Sequence, residues 1–201
     1  MPIDALAHGP YGPPPLSTLP ERSANAHREN HTPKCWRCQK NFARQVPYMP
    51  LTDLIAPNAI LPALKVNNKK QVLQELAARA AVLTGQNERA IFDLLMQREK
   101  LGTTAIGNGI AIPHGKMPTL ARLFGLFARL ERPVDFDALD NQPVDLVFLL
   151  LAPEAAGADH LQALARIARL MRDQTVVHKL RATHDAESLY AVLAMPSASA
   201  A

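Results

Sequence analysis

The chain has 201 residues, 48% of them hydrophobic and 5% aromatic, with a formal net charge of +4. That apolar share is ample for a packed core, while so few aromatics argue against a stacking surface for single-stranded nucleic acid. The charge is unevenly divided: residues 1–48 hold six Lys/Arg against three Asp/Glu and the remainder 16 against 15, so the main body is near neutral and no nucleic-acid partner is expected.

In chain order, the first twenty residues lack a basic start and a continuous apolar segment, which argues against a secretory signal. Residues 1–50 contain nine of the 17 prolines, including Pro13-Pro14-Pro15, and show no sustained periodicity. Such a stretch buries too little apolar surface to offset its ordering entropy, so 1–48 is predicted to be a disordered or locally structured leader. Met49 is a candidate natural start for the folded part. Within the leader, His27, His31, Cys35 and Cys38 have the spacing H-x3-H-x3-C-x2-C, and four such ligands could close a tetrahedral zinc site. Their order does not match the common finger patterns, and a CxxC redox motif would need a βαβ context that is missing. The weightier reading is a tail with chance His and Cys residues, with no disulfide framework and no metal.

From residue 49 to 195 the pattern alternates between strand and helix. Ala59–Val66 is short and apolar, as a strand would be. Asn68–Leu83 repeats Val72, Leu73, Leu76, Ala80 and Leu83 at helical spacing, and Gly85 ends it. Asn87 is placed to cap a second helix through about Arg98, with Ile91, Leu94 and Leu95 facing inward. Gly102–Gly115 reads as a loop followed by a short strand. Leu123–Leu130 and Val144–Ala152 read as strands, the second buried on both faces, joined by a turn-rich connection over Asp135–Pro143. Leu161, Leu164, Ala168 and Met171 mark one face of a long helix, followed by shorter ones over Val176–Arg181 and Glu187–Leu193. Residues 196–201 are predicted to fray. The longest apolar run, around Val147–Ala152, is far too short to span a bilayer, and the whole pattern suits a soluble cytoplasmic α/β protein.

The most informative stretch is Gly107–Lys116. Ile110 and Ile112 alternate with small residues; Pro113 removes a ladder donor, so pairing is expected to stop near it and leave His114 projecting at a strand end. Gly115 beside it would admit a bulky group close to the backbone. A histidine so placed offers a neutral ring nitrogen near pH 7, which is what phosphoryl acceptance requires. Thr103 and Thr104 could supply hydroxyl donors to an anion, and Gly107, Asn108 and Gly109 could present backbone N–H groups. Arg98 could pair with the transferred group. His160 opens the last long helix, whose N-terminus favours a neutral imidazole and a nearby negative charge. Each feature has an ordinary alternative: His-Gly as a turn, His160 as a polar first-turn residue, Arg98-Glu99-Lys100 as a solvated charged face, the glycines as a simple turn.

Taken together, Arg98–Lys116 resembles the active-site signature of mannitol/fructose-type IIA domains of the bacterial phosphoenolpyruvate-dependent phosphotransferase system, closest to the nitrogen-regulatory branch. Phe136–Leu146 is similar to a second characteristic stretch, and Asp159-His160-Leu161 with Leu164-Ala165 to the helix carrying the family's second histidine. The resemblance covers about residues 49–194; Thr103-Thr104 stands where a Ser-Thr pair is common in the branch. It implies a mixed β-sheet flanked by helices on both sides, phosphorylation of His114 through Nε2, and His160 and Arg98 holding the phosphoryl group. It implies no cofactor and no membrane insertion. The expected donor is a small histidine phosphocarrier protein, and the expected outputs are regulatory targets such as potassium-transport regulators or stringent-response enzymes. The competing expectations are a sugar-specific IIA component that passes phosphate to a IIB protein, and a binding module indifferent to phosphorylation.

Overall fold

A computed structural model describes residues 51–195. The leader, its possible zinc set His27, His31, Cys35 and Cys38, and the tail 196–201 lie outside the described residues.

After a single 3-10 turn, β1 (Ile55–Leu64) starts four residues before the apolar run that predicts it. Pro57 and Pro62 interrupt its alternation, and its parallel pairing to β5 (Phe124–Val134) carries two register shifts, so the pattern undercounts its length. Two antiparallel helices follow: α1 (Lys69–Thr84), and α2 (Glu88–Lys100). Asn68 and Asn87 cap them through their side-chain oxygens and Gly85 closes α1 in the left-handed region, the last two as the sequence indicates.

The next stretch departs from expectation. It contains three short strands rather than a loop and one strand: β2 (Ala105–Gly107), β3 (Ile110–Ala111) and β4 (His114–Met117). β2 and β3 form an antiparallel hairpin whose turn places Asn108 and Gly109 at positive φ, the geometry that favours an Asn-Gly pair. Pairing does lapse at Pro113. It then resumes, so His114 is the first residue of β4 instead of the end of the preceding strand.

β6 (Val144–Pro153) is the centre of the sheet. It pairs antiparallel with β5 and parallel with both β3 and β4, giving the order β1-β5-β6-β3-β2 with β4 also on β6. Val147 to Ala152 are fully buried, so both faces of the strand are covered, and helices account for that cover. α3 (Gly157–Arg172), α4 (Gln174–Ala182) and α5 (Ala186–Ala194) complete the chain and pack successively on one another. The result is a mixed six-stranded sheet between helices, the architecture expected from the sequence pattern. No helix among the described residues is long and apolar enough to cross a membrane.

Candidate functional site

The site begins with a glycine. A Cβ on Gly115 would lie 2.6 Å from Cδ2 of Leu94, so the missing side chain is what lets α2 pack closely on β4. Arg98 stands one turn beyond Leu94 on the same face of α2 and is thereby brought over the first residue of β4. Its Nε donates to Nε2 of His114 at 3.0 Å, and its Nη1 donates to the carbonyl of Gly102 at 3.0 Å.

The other ring nitrogen of His114 is also assigned. Nδ1 lies 2.8 Å from the carbonyl oxygen of Ile112, an acceptor only, so Nδ1 carries the proton and Nε2 keeps its lone pair. The ring is half-buried. Burial lowers its pKa below the usual histidine value, opposed by the bond to Ile112, and the Arg98 charge lowers it further while Glu99 acts the other way. The neutral form therefore prevails at pH 7.

His160, in the first turn of α3, brings a second imidazole to the site. Its ring centroid is 5.7 Å from that of His114, at an interplanar angle of 51°. It is 7% exposed, and its Nε2 has no hydrogen-bond partner among the described residues. Burial lowers its pKa first, with His114 and Lys116 adding to the effect. Arg98, His114 and His160 thus converge from three separate elements: a guanidinium, a nucleophilic nitrogen and a second neutral ring. Such a set can accept a phosphoryl group and distribute its charge.

Several of the other residues expected to bind phosphate make bonds within the fold. The Thr104 hydroxyl is buried and donates to Oε2 of Glu99 at 2.6 Å; Thr103 donates to the Phe136 carbonyl at 2.5 Å. Asn108 gives its backbone N–H to Oδ2 of Asp140 at 2.8 Å, a bond that holds Asp140 below the usual carboxylate range. Its carbonyl accepts from Arg181, which forms a two-pronged ion pair with Asp145. The Gly109 carbonyl accepts from Asp145 and Leu146. Gly107–Gly109 is a hairpin turn at the Leu146 end of β6, while His114 pairs at Leu150. Asp140, brought from the Phe136–Leu146 stretch, accepts from the Asn108 N–H, and Asp145 holds Arg181 beside the turn. Gly115 serves the site by admitting Leu94 close to β4.

The sequence reading also missed a residue. Glu99, expected on a solvated face, is 8% exposed. Its Oε2 accepts from both the N–H and the hydroxyl of Thr104, and its Oε1 lies 3.3 Å from Lys69 Nζ, which also pairs with Asp137 at 2.5 Å. The available signal was weak: Lys69, Thr104 and Asp137 are distant in sequence, and only the fold joins them.

Comparison with known proteins places the chain in one family. Residues 53–195 match the family model described as phosphoenolpyruvate-dependent sugar phosphotransferase system, EIIA 2. A nitrogen regulatory protein of Bradyrhizobium diazoefficiens is 73% identical over 153 residues, covering 76% of this chain and 100% of the relative. The crystal structure of nitrogen regulatory protein IIA-Ntr from Neisseria meningitidis superposes with a TM-score of 0.68 at 33% identity, over 71% of this chain and 98% of that one. The crystal structure of IIA mannitol from Escherichia coli shares the fold, with a TM-score of 0.59 at 22% identity over 69% and 98% of the two chains.

Proposed function

The chain belongs to the EIIA 2 family of the phosphoenolpyruvate-dependent phosphotransferase system, in its nitrogen-regulatory branch, and we propose that it carries a phosphoryl group on Nε2 of His114. The observation that carries this reading is the division of labour in the His114 ring: Nδ1 held by the Ile112 carbonyl, Nε2 left as the nucleophile beneath Arg98. The donor is a small histidine phosphocarrier protein. The Nε2 lone pair forms the new P–N bond while the donor's P–N bond breaks, its electron pair returning to the donor's ring. The proton on Nδ1 stays where it is, so positive charge develops on the His114 ring against the Ile112 carbonyl. Arg98 turns from Nε2 to the phosphoryl oxygens, and His160 offers them a second donor. Positioning and charge neutralisation do the catalytic work.

The output is regulatory and cytoplasmic. The added phosphate changes charge and acceptor count at a surface on which targets dock, such as potassium-transport regulators or stringent-response enzymes. A second reading, transfer onward to a sugar-specific IIB protein, draws on the sugar phosphotransferase description of the matching family. Incubation with phosphoenolpyruvate, the first enzyme of the system and the phosphocarrier, followed by intact-mass analysis, tests the shared step. One acid-labile phosphoryl adduct on the wild type and none on His114→Ala is expected. No adduct on the wild type, with the carrier itself phosphorylated, overturns the reading. Onward transfer to a IIB protein would favour the sugar-specific alternative.

A further inference from the structure

Glu99 is adjacent to Arg98 in sequence yet makes no contact with His114. It connects to the ring through the backbone of Thr104 and Ile112, each residue held by hydrogen bonds on both sides. Oε2 of Glu99 accepts from Thr104 N at 3.1 Å and Thr104 Oγ1 at 2.6 Å. The Thr104 carbonyl accepts from Ile112 N at 2.9 Å, and the Ile112 carbonyl accepts from His114 Nδ1 at 2.8 Å. Every link is short, and the carboxylate at its far end is buried and fixed on its other side by Lys69.

We propose that Glu99 is a positioning residue for phosphoryl acceptance, fixing the backbone of Thr104 and Ile112 so that the Ile112 carbonyl holds His114 as the Nδ1–H tautomer with Nε2 presented to the donor. The inference rests on the phosphocarrier reading for its consequence, but not for its structural content. The physical reason is twofold. The bond from Ile112 N–H to the Thr104 carbonyl fixes the backbone at Ile112, and with it the direction of the Ile112 carbonyl that accepts from Nδ1–H. And the ring gains positive charge when Nε2 forms the P–N bond, a change that a fixed anion favours even without contact. Arg98 and Glu99, consecutive on α2, thus divide the work: the cation meets the incoming phosphoryl group and the anion supports the ring behind it.

The test compares wild type, Glu99→Gln, Thr104→Val and Thr104→Ser, all as the full chain with 15N-labelled histidine. NMR reads the tautomer and pKa of His114 without any phosphoryl transfer, and a separate assay measures the rate of uptake from the phosphocarrier. The charged and titratable groups around the two rings are Arg98 and Glu99 from α2, Lys116 from β4, and the His114–His160 pair itself. Only Glu99 is anionic among them, so Glu99→Gln is expected to lower the His114 pKa, mix its tautomers and slow uptake about tenfold to a hundredfold, the range seen when a partner orienting a functional histidine is lost. Thr104→Val is expected to mix the tautomers and slow uptake in the same direction, and Thr104→Ser to stay within about twofold of wild type. If Glu99→Gln fails to fold, Thr104→Val carries the test. Folded Glu99→Gln and Thr104→Val proteins with wild-type His114 tautomer and pKa would overturn the proposal, whatever their stability. Absence of uptake by the wild type would instead strike the phosphocarrier reading and leave the NMR comparison to decide this one.

Discussion

Residues 107–109 and residues 112–115 belong to one short stretch of sequence and read as one anion site, yet the structure uses them in opposite ways. At the His114 end, polar atoms stay available: Nε2 of His114 meets only Arg98, and Nε2 of His160 has no partner among the described residues. At the turn, the Asn108 N–H goes to Asp140, the Asn108 carbonyl to Arg181, and the Gly109 carbonyl to Asp145 and Leu146. A ligand site requires donors and acceptors that the fold leaves without equal partners. Glycines at positive φ show only that the backbone bends there.

The largest effect that would sharpen this contrast is at Arg98. Arg98→Ala is expected to lower the rate of phosphoryl uptake about 10²–10³-fold, the usual magnitude for losing a donor aimed at developing charge, with little change in Tm. A rate within a few-fold of wild type would break the assignment of that end as the working one. At the turn the expectation reverses. A Cβ on Gly109 would lie 2.7 Å from Arg181 Nη2 and 2.8 Å from Asp145 Oδ1, at φ +74°. Gly109→Ala is therefore expected to cost about 1–3 kcal/mol in denaturant unfolding while the folded protein takes up phosphate at the wild-type rate. A specific loss of uptake without loss of stability would restore the turn to the site.

The smallest effect is in pH. Because the His114 pKa is lowered in the fold, its nucleophilic form persists as pH drops through the ordinary histidine value of about 6.5. Uptake should hold to lower pH than an exposed histidine would allow, after correction for the donor's titration. Burial is the main cause and Arg98 adds to it, so the acid limb should move to higher pH in Arg98→Ala. The linkage has a definite sign: the unfolded chain binds the proton first, so the contribution of His114 to stability is full above about 6.5 and is lost as pH falls from there through the lowered folded value. An acid limb at the exposed-histidine value would argue that the ring is not held as described.

The sequence disclosed the α/β class, all five helices and the burial of β6 on both faces because those rest on local periodicity and punctuation: Gly85, Asn87, and the unbroken run Val147–Ala152. It placed His114, His160 and Arg98 as candidates through spacing and resemblance, and the fold brings those three together. It failed where partners come from afar. Nothing near Asn108 predicts that Asp140 arrives to accept its N–H, and nothing in Arg98-Glu99-Lys100 distinguishes the residue that meets His114 from the one buried on Thr104. β1 was truncated because its prolines disguise a strand that tolerates register shifts.

The central claim is that Nε2 of His114 receives the phosphoryl group while Nδ1 keeps its proton on Ile112. Nitrogen-15 NMR of the phosphorylated protein with labelled histidine tests it directly. The account predicts phosphorus coupling to Nε2 of His114 alone, with Nδ1 still protonated. Phosphorus on Nδ1, or on His160, would contradict it.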